Sequence, residues 1–446
     1  VTRLWDHGAP LDAAVLRLTA GRDPQLDLHL VAWDCLASAA HARMLEAIGV
    51  LEESERRALE DELVRLADEA REGRFSIALD DEDGHTAIEN RLVERVGEAG
   101  RKIHTGRSRN DQVLAALRLW GRALVLDQVG ALLGVVDELA GLAETHRAVT
   151  MPGYSHTRQA MPTTLGHALS AWAEGLLDDV PWLRTAYAHL DRSPLGSASG
   201  FGVPLPLDRQ QVARLLGFGA LQHNTLAVQN DRGKSEYLAL AAAAAVATDL
   251  GRLAADLIWW SSDELRFVRL PQSVTTGSSL MPQKRNPDLL ELIRAGAARL
   301  RGRQAEVAGV YGGLGAGYHR DLQLTKQPFL EGMQELCDLL VGCELILGGL
   351  EVDAERCREA VLPATGATDA LFARIGEGRA FRDAYREAAA GDGAASAPPE
   401  AWERRASAGA PGDPELLAPL ERRREERVWL SLQREHVAAA TAWFGA

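Results

Sequence analysis

The chain has little cysteine, almost no lysine and few aromatic residues, and each shortage excludes something. Its four cysteines, at 35, 337, 343 and 357, contain no CxxC pair. That excludes a disulfide scaffold or zinc ribbon and fits a reducing compartment. Of 49 basic residues only four are lysine, namely Lys102, Lys234, Lys284 and Lys326. A lysine ammonium is a compact point charge and an arginine is a planar fork, so each lysine hints at a place where a fork does not fit. There is no surplus of positive charge: the net charge is −14 and the pI about 5.4, the wrong sign for a nucleic-acid surface. No run of 18 consecutive apolar residues occurs. The longest candidate, around Leu238–Val246, is mostly alanine, so no membrane span is expected. The opening residues, Val1 to Asp6, lack a basic-then-apolar pattern, and the expected location is the cytoplasm. HExxH and His/Cys clusters are absent, so no metal site is expected. Walker A and G-x-S-x-G motifs are absent as well, and Gly312–Gly317 lacks the GxGxxG order, which argues against nucleotide folds and a hydrolase elbow.

What is present is helical. The 446 residues are 46% hydrophobic and 25% charged, enough for two to four domains with sizeable cores. Residues 27–48 and 52–71 read as helices, the second capped by Ser54 or the acids beside it and stopped at Gly73. After Asp111, apolar residues recur at Val113, Leu117, Trp120, Leu124, Ala131, Val135, Leu139 and Leu142, in steps of three and four or their sum. One stripe of about 30 residues is too long for a small domain and suits a long bundle. Similar stretches cover 162–190, 231–263, 288–311 and 326–350 and complete a five-helix layer. Loops rich in Gly, Ser and Pro separate them, at 151–156, 193–206, 272–287 and 312–318. Beyond Val352 the helices shorten, and residues 391–414 read as a long loop. The organisation is therefore an N-terminal helical domain (1–108), a central bundle (109–352) and a small C-terminal helical domain (353–446).

Four polar segments carry candidate chemistry. Residues 101–111, RKIHTGRSRND, crowd basic groups and a histidine at the entry of the long helix. Ser108, Asn110 and Asp111 are possible caps whose freed N–H groups favour an anion. Residues 151–159 set His156 beside Ser155 in a Pro/Gly-bounded loop, where a histidine suits acid or base work. Residues 275–287 hold a Gly-Ser-Ser turn followed by Lys284, a loop able to close over a ligand. Residues 318–326 lead from Tyr318 to Lys326 into a helix. Taken singly, each segment also reads as an ordinary polar helix start or connection.

Together they resemble the argininosuccinate lyase family of the fumarase/aspartase superfamily. Gly277-Ser278-Ser279-Leu280-Met281-Pro282-Gln283-Lys284-Arg285-Asn286-Pro287 is similar to the superfamily signature GSSxMPxKxNP, and His104 through Gln112 is similar to the run that marks the branch. The likeness covers roughly residues 20–390. It implies an all-α, three-domain fumarase/aspartase-like fold with a central long-helix bundle. It also implies a homotetramer whose active sites are each shared by three chains, and reversible cleavage of argininosuccinate to arginine and fumarate in arginine biosynthesis, with no metal or organic cofactor. By the same resemblance Ser278 is the base, Lys284 supplies a point charge to it and to the developing aci-carboxylate, and Asn286 donates to that carboxylate. His156 is the acid or its organiser, and Glu291 orients it. Ser155 stands where a threonine is usual. Ser108, Arg109 and Asn110 grip the fumarate carboxylates; Tyr318, Gln323 and Lys326 contact the arginine portion. His85 resembles a further edge of the site.

The chain departs from the family wording at Leu4–Gly8, at Thr157–Met161 and at Gly233, where Asp231-Arg232-Gly233 replaces a frequent DRD. These departures bear on substrate positioning. The alternatives are a lyase for another N-substituted aspartate, an adenylosuccinate lyase (which the Arg107–Gln112 run disfavours), and a crystallin-like structural protein on the same scaffold.

Overall fold

The computed structural model describes residues 12–390 and 398–445. The departure at Leu4–Gly8 lies outside them. After short helices at Ala13–Ala20 and Asp23–Leu26, the N-terminal part carries α1 (Val31–Ala47), α2 (Glu53–Arg71) and α3 (Gly84–Val96). Glu52, not Ser54, caps α2, in a box with Glu55, whose carboxylate accepts the Glu52 N–H at 3.0 Å. Five long helices follow: α4 (Arg109–Thr145), α5 (Leu165–Leu190), α6 (Lys234–Trp260), α7 (Asp288–Tyr311) and α8 (Lys326–Leu347). They form a closed ring in which α4 packs on α5 and α8, α5 on α6, α6 on α7, and α7 on α8, while α6 also crosses to α8. Helix α6 is long and apolar enough to cross a membrane by composition alone. Here its buried Ala239, Ala242, Ala243, Ala244 and Ala247 let the neighbouring helices approach closely.

Helix α4 is buried on more than one stripe. Asp111 through Leu119 are all buried, because Ala115 and Leu119 join the N-terminal core while Val113, Ala116 and Leu117 join the bundle core. One helix is thus the common wall of two cores, which is why its length matters.

Three connections differ from expectation. Residues 151–156 are not a loop: β1 (Thr150–Ser155) and β2 (Arg158–Thr164) form an antiparallel hairpin, and α5 begins only at Leu165. Within 272–287, β3 (Thr276–Gly277) pairs with β4 (Arg285–Asn286). The segment 391–414 holds a short 3-10 helix, Pro399–Arg404, whose buried Trp402 indole donates to Thr150 Oγ1 at 2.8 Å; residues 391–397 lie outside the described residues. The C-terminal helices are not all short either. Helix α9 (Arg423–Thr441) runs back along α4, and Trp443 beyond it donates to the Leu215 carbonyl at 3.0 Å.

One group inside the bundle is uncomfortable. Asp179 of α5 is 7% exposed and its Oδ2 has no partner. Burial first, then the nearby Asp249 and Asp178 carboxylates, push it up to about 7. A carboxyl whose folded pKa lies above its unfolded value costs stability as pH rises through that interval, and the cost is full above it. Asp179→Asn should therefore stabilise the fold by on the order of 1–3 kcal/mol at about pH 8 and by much less at about pH 5. Urea unfolding at the two pH values checks this, and an equal gain at both would contradict it.

Candidate active site

The entry of α4 is built by a capping box. Ser108 Oγ accepts the Asn110 N–H at 3.3 Å, and Asp111 Oδ1 accepts the Ser108 N–H at 2.9 Å. The other oxygen of Asp111 accepts the N–H groups of Gly196 and Ala198 at 2.9 and 2.8 Å. One buried carboxylate therefore starts the helix and pins the 196–198 turn across from it. Burial lifts Asp111 to about 6 against the pull of these donors and of Arg107.

In front of this entry lies a cleft of about 710 Å³. It brings together Ser108, Arg109, Asn110, Tyr318, Gln323 and Lys326, six of the candidates, from segments about 200 residues apart in the chain. Acids matched to these cations share the cleft. Arg109 pairs with Glu82 and Asp83, both at 3.2 Å, and donates to Thr86 Oγ1 at 2.8 Å. Lys326 is 2% exposed and lies 2.5 Å from Asp27 and 3.0 Å from Asp23. Burial works against its charge, but these two carboxylates outweigh it and raise Lys326. Gln323 donates to the Thr19 carbonyl at 2.8 Å. Arg232 stacks 4.9 Å over the Tyr318 ring, and its buried Nε has no partner.

His85 also lines the cleft. Its Nδ1 is hydrogen-bonded to Asp34, and its buried Nε2 has no partner. Burial disfavours the charged ring, yet Asp34, Asp83 and Asp27 overcome this and raise it. His104, two residues before Gly106, goes the other way: burial, Arg107, His85 and Arg109 lower it to about 4. The two imidazoles of the cleft are therefore pushed in opposite directions, His85 toward its charged form and His104 toward its neutral one. Asp34 is a residue the sequence reading passed over. It sits behind the cleft, takes the Gln112 amide at 3.0 Å, and burial fails to raise it because His85, Arg107 and Gln112 hold it down. Glu82 and Asp83, beside His85 in sequence, were likewise not named as site residues.

The remaining candidates lie elsewhere on the chain. Ser155 and His156 occupy the exposed tip of the β1–β2 hairpin, where His156 and Thr157 have φ of 52° and 59°. Ser278 and Lys284 flank the Gly277–Arg285 pair on the two strands of the β3–β4 ribbon, so the seven-residue motif closes back on itself. Asn286 is on β4, and Glu291 is exposed in the first turn of α7. No hydrogen bond or ion pair among the described residues joins Glu291 to His156. Ser278 Oγ accepts the N–H groups of Leu280 and Met281 at 3.3 and 3.1 Å. At the third departure, Gly233 has φ +84°, and a Cβ there would fall 2.6 Å from Tyr311 Cβ. The glycine is thus required by its own surroundings, and an aspartate would not fit them.

The chain is similar to known proteins in sequence and in fold. Residues 20–302 match the family model described as Lyase. The chain is 46% identical to an argininosuccinate lyase of Sorangium cellulosum over 92% of this chain and 96% of that protein. It is 40% identical to an argininosuccinate lyase of Thermotoga neapolitana over 86% and 96%. Among solved structures, an EDDS lyase in complex with formate superposes with a TM-score of 0.81 at 24% identity, covering 98% of this chain and 95% of that one. A fumarate lyase/delta crystallin from Brucella melitensis gives 0.69 at 22% identity, covering 86% and 92%. At those identities the structures speak for the fold.

The Asp34–His85 pair gives a test. The aspartate's share of stability is present above its unfolded pKa near 4, and the histidine's share is present below its unfolded pKa near 6.5 and lost as pH rises through the raised folded value. Asp34→Asn should cost about 3–5 kcal/mol at about pH 6, because it strands a buried charge, and less at about pH 9. Urea unfolding reads the difference; a deficit that grows with pH would refute the assignment of charge.

Proposed function

We infer, from the premise that the chain belongs to the argininosuccinate lyase family, that it is a carbon–nitrogen lyase that cleaves argininosuccinate reversibly to arginine and fumarate. The observation that carries this reading is the kinship over nine-tenths of the chain together with one cleft that collects Ser108, Arg109, Asn110, Tyr318, Gln323 and Lys326. That cleft offers both signs of charge, as a substrate with carboxylates at one end and a guanidino group at the other requires.

In the proposed reaction a base takes a proton from the carbon beside a carboxylate of the succinyl portion. Two negative charges then develop on that carboxyl group. The electron pair of the broken C–H bond forms the fumarate double bond as the C–N bond breaks, and an acid returns a proton to the departing guanidino nitrogen. Ser278 is the base. Two N–H groups already aimed at its oxygen, with Lys284 next to the same Gly277–Arg285 pair, favour an alkoxide there. Asn286 and Lys284 receive the aci-carboxylate. His156, oriented by Glu291, acts as acid or organises it, and Ser155 offers a hydroxyl beside it. Ser108, Arg109 and Asn110 hold the fumarate carboxylates; Tyr318, Gln323 and Lys326 hold the arginine end.

Ser278, Lys284, His156 and Glu291 stand on exposed elements apart from the cleft, so the working site is completed by other copies of the chain in a homotetramer. Exposed Leu292, Val341 and Leu345, on α7 and α8, give those copies an apolar face to cover. The role in arginine biosynthesis and a cytoplasmic location go with this reading; the four free cysteines fit a reducing compartment.

Ultraviolet absorbance of fumarate formed from argininosuccinate tests the activity. Ser278→Ala should lower kcat by about 10²–10⁴-fold with little change in directly measured substrate affinity. Lys284→Arg should fail too, since a fork does not replace a point charge. Near-full turnover by Ser278→Ala would remove Ser278 as base while leaving the elimination intact. Sharing of the site has its own test. Ser278→Ala and Arg109→Ala chains, each inactive alone, should regain activity when dissociated and reassembled together, because some mixed sites then carry both wild-type residues. Absence of any recovery, or a monodisperse monomer in light scattering, would overturn the shared site.

A further inference from the structure

A second cleft, of about 660 Å³, lies between the C-terminal end of α5 and α9 and shares no residue with the first. Its volume is within the range of small-molecule sites. Its lining includes polar groups with no partner among the described residues. Tyr187 is 3% exposed and its hydroxyl has no hydrogen-bond partner. His189 Nδ1 is also buried without one. Leaving such a group unpaired costs roughly 1–3 kcal/mol, so two of them on residues that line one cavity are a feature that needs a reason.

Charge in the cleft is unequal once existing pairs are removed. Arg184 is held by Glu426 at 3.0 Å and lies 4.9 Å over the Trp429 ring. Asp191 is held by Arg122 at 2.7 Å and accepts the Gly219 N–H at 3.1 Å. Arg192 lends only its backbone carbonyl, to Arg118 at 2.6 Å; its guanidinium makes no ion pair with any described residue. One cation therefore remains, in the cleft that Tyr187 also lines. The wall opposite is aromatic, with Trp429 set edge-on to Tyr187 at 5.5 Å and 86°.

We propose that this cleft binds a small organic monoanion: a planar carboxylate gripped by the Arg192 guanidinium and the Tyr187 hydroxyl, with its apolar body against Trp429. A guanidinium fork matches a carboxylate with two parallel N–H···O bonds. A single uncommitted cation beside Asp191 and Glu426 suits one negative charge and disfavours a phosphate dianion. Trp429 supplies the flat apolar surface that such a body needs.

The probe is benzoate, titrated calorimetrically into the full-length protein, with benzamide as the uncharged analogue. Expected is saturable binding of one benzoate per chain, unaffected by saturating fumarate, with benzamide at least about tenfold weaker. Arg192→Gln should weaken benzoate by about tenfold or more and Tyr187→Phe by about threefold, while both variants keep wild-type fumarate formation. Tyr187→Phe retains the ring and its packing, so it decides the matter alone if Arg192→Gln does not fold. Binding that does not saturate, that fumarate displaces, or that either active variant leaves unchanged would overturn the proposal.

Discussion

Two arginines buried without access to water hold this molecule in register. Arg118 and Arg122 stand one turn apart on α4, each 1% exposed. Arg118 donates to Asp231 at 2.7 Å and to the Arg192 carbonyl; Arg122 donates to Asp191 and to the carbonyls of Leu216 and Gly217 at 2.9 and 2.6 Å. A buried charge is tolerated only when its geometry is nearly complete. Burial pulls Arg118 down to about 10, with Asp231 and Glu236 opposing, which leaves it charged. The irregular stretch between α5 and α6 has only short elements of its own, and these two side chains moor it to the longest helix. The Ala198–Val203 rim of the first cleft, Arg232 beside it and the Arg192 edge of the second cleft all belong to that moored stretch.

The cleft itself is organised by compensation. Each of Arg109 and Lys326 meets two acids, His85 meets Asp34, and Asp111 meets three backbone N–H groups. A strongly acidic chain can thus hold cations in one cleft without a basic surface. The donors are fixed in place before a ligand arrives, as stabilisation of a developing charge requires.

Much of this was legible in the residues. Helical periodicity located α7 at its actual ends, because Asp288 follows a proline and Gly312 ends the apolar pattern. The β1–β2 hairpin was not legible: Pro152 pairs with Pro162 in its register, and a bulge at Gly153 breaks the alternation that marks a strand. Helix α9 was hidden by its charge, since Arg423-Arg424-Glu425-Glu426-Arg427 looks like a solvated run, and an Ala/Gly/Pro stretch stands before it. In the site, the polar segments announced themselves as clusters. Asp34 did not, because it stands alone among Val31, Ala32, Trp33, Cys35 and Leu36, and only the fold shows that it meets His85, 51 residues later. The distance of Ser278–Lys284 and His156 from the cleft was not legible either, because it follows from strand pairing at the two hairpins, which helical periodicity does not encode.

The scarcity of lysine has a practical side. Lys326 is sealed beneath the cleft and Lys102 is clasped by Glu55 at 2.6 Å, whereas Lys234 and Lys284 are exposed in the chain. Amine-directed chemistry, whether a cross-linker, a biotin ester or an aldehyde support, therefore has few places to attach, and one of them is the ribbon that carries Ser278. Attachment through the abundant surface carboxylates, or through the arginine-rich face of α9, is the route that leaves that ribbon untouched.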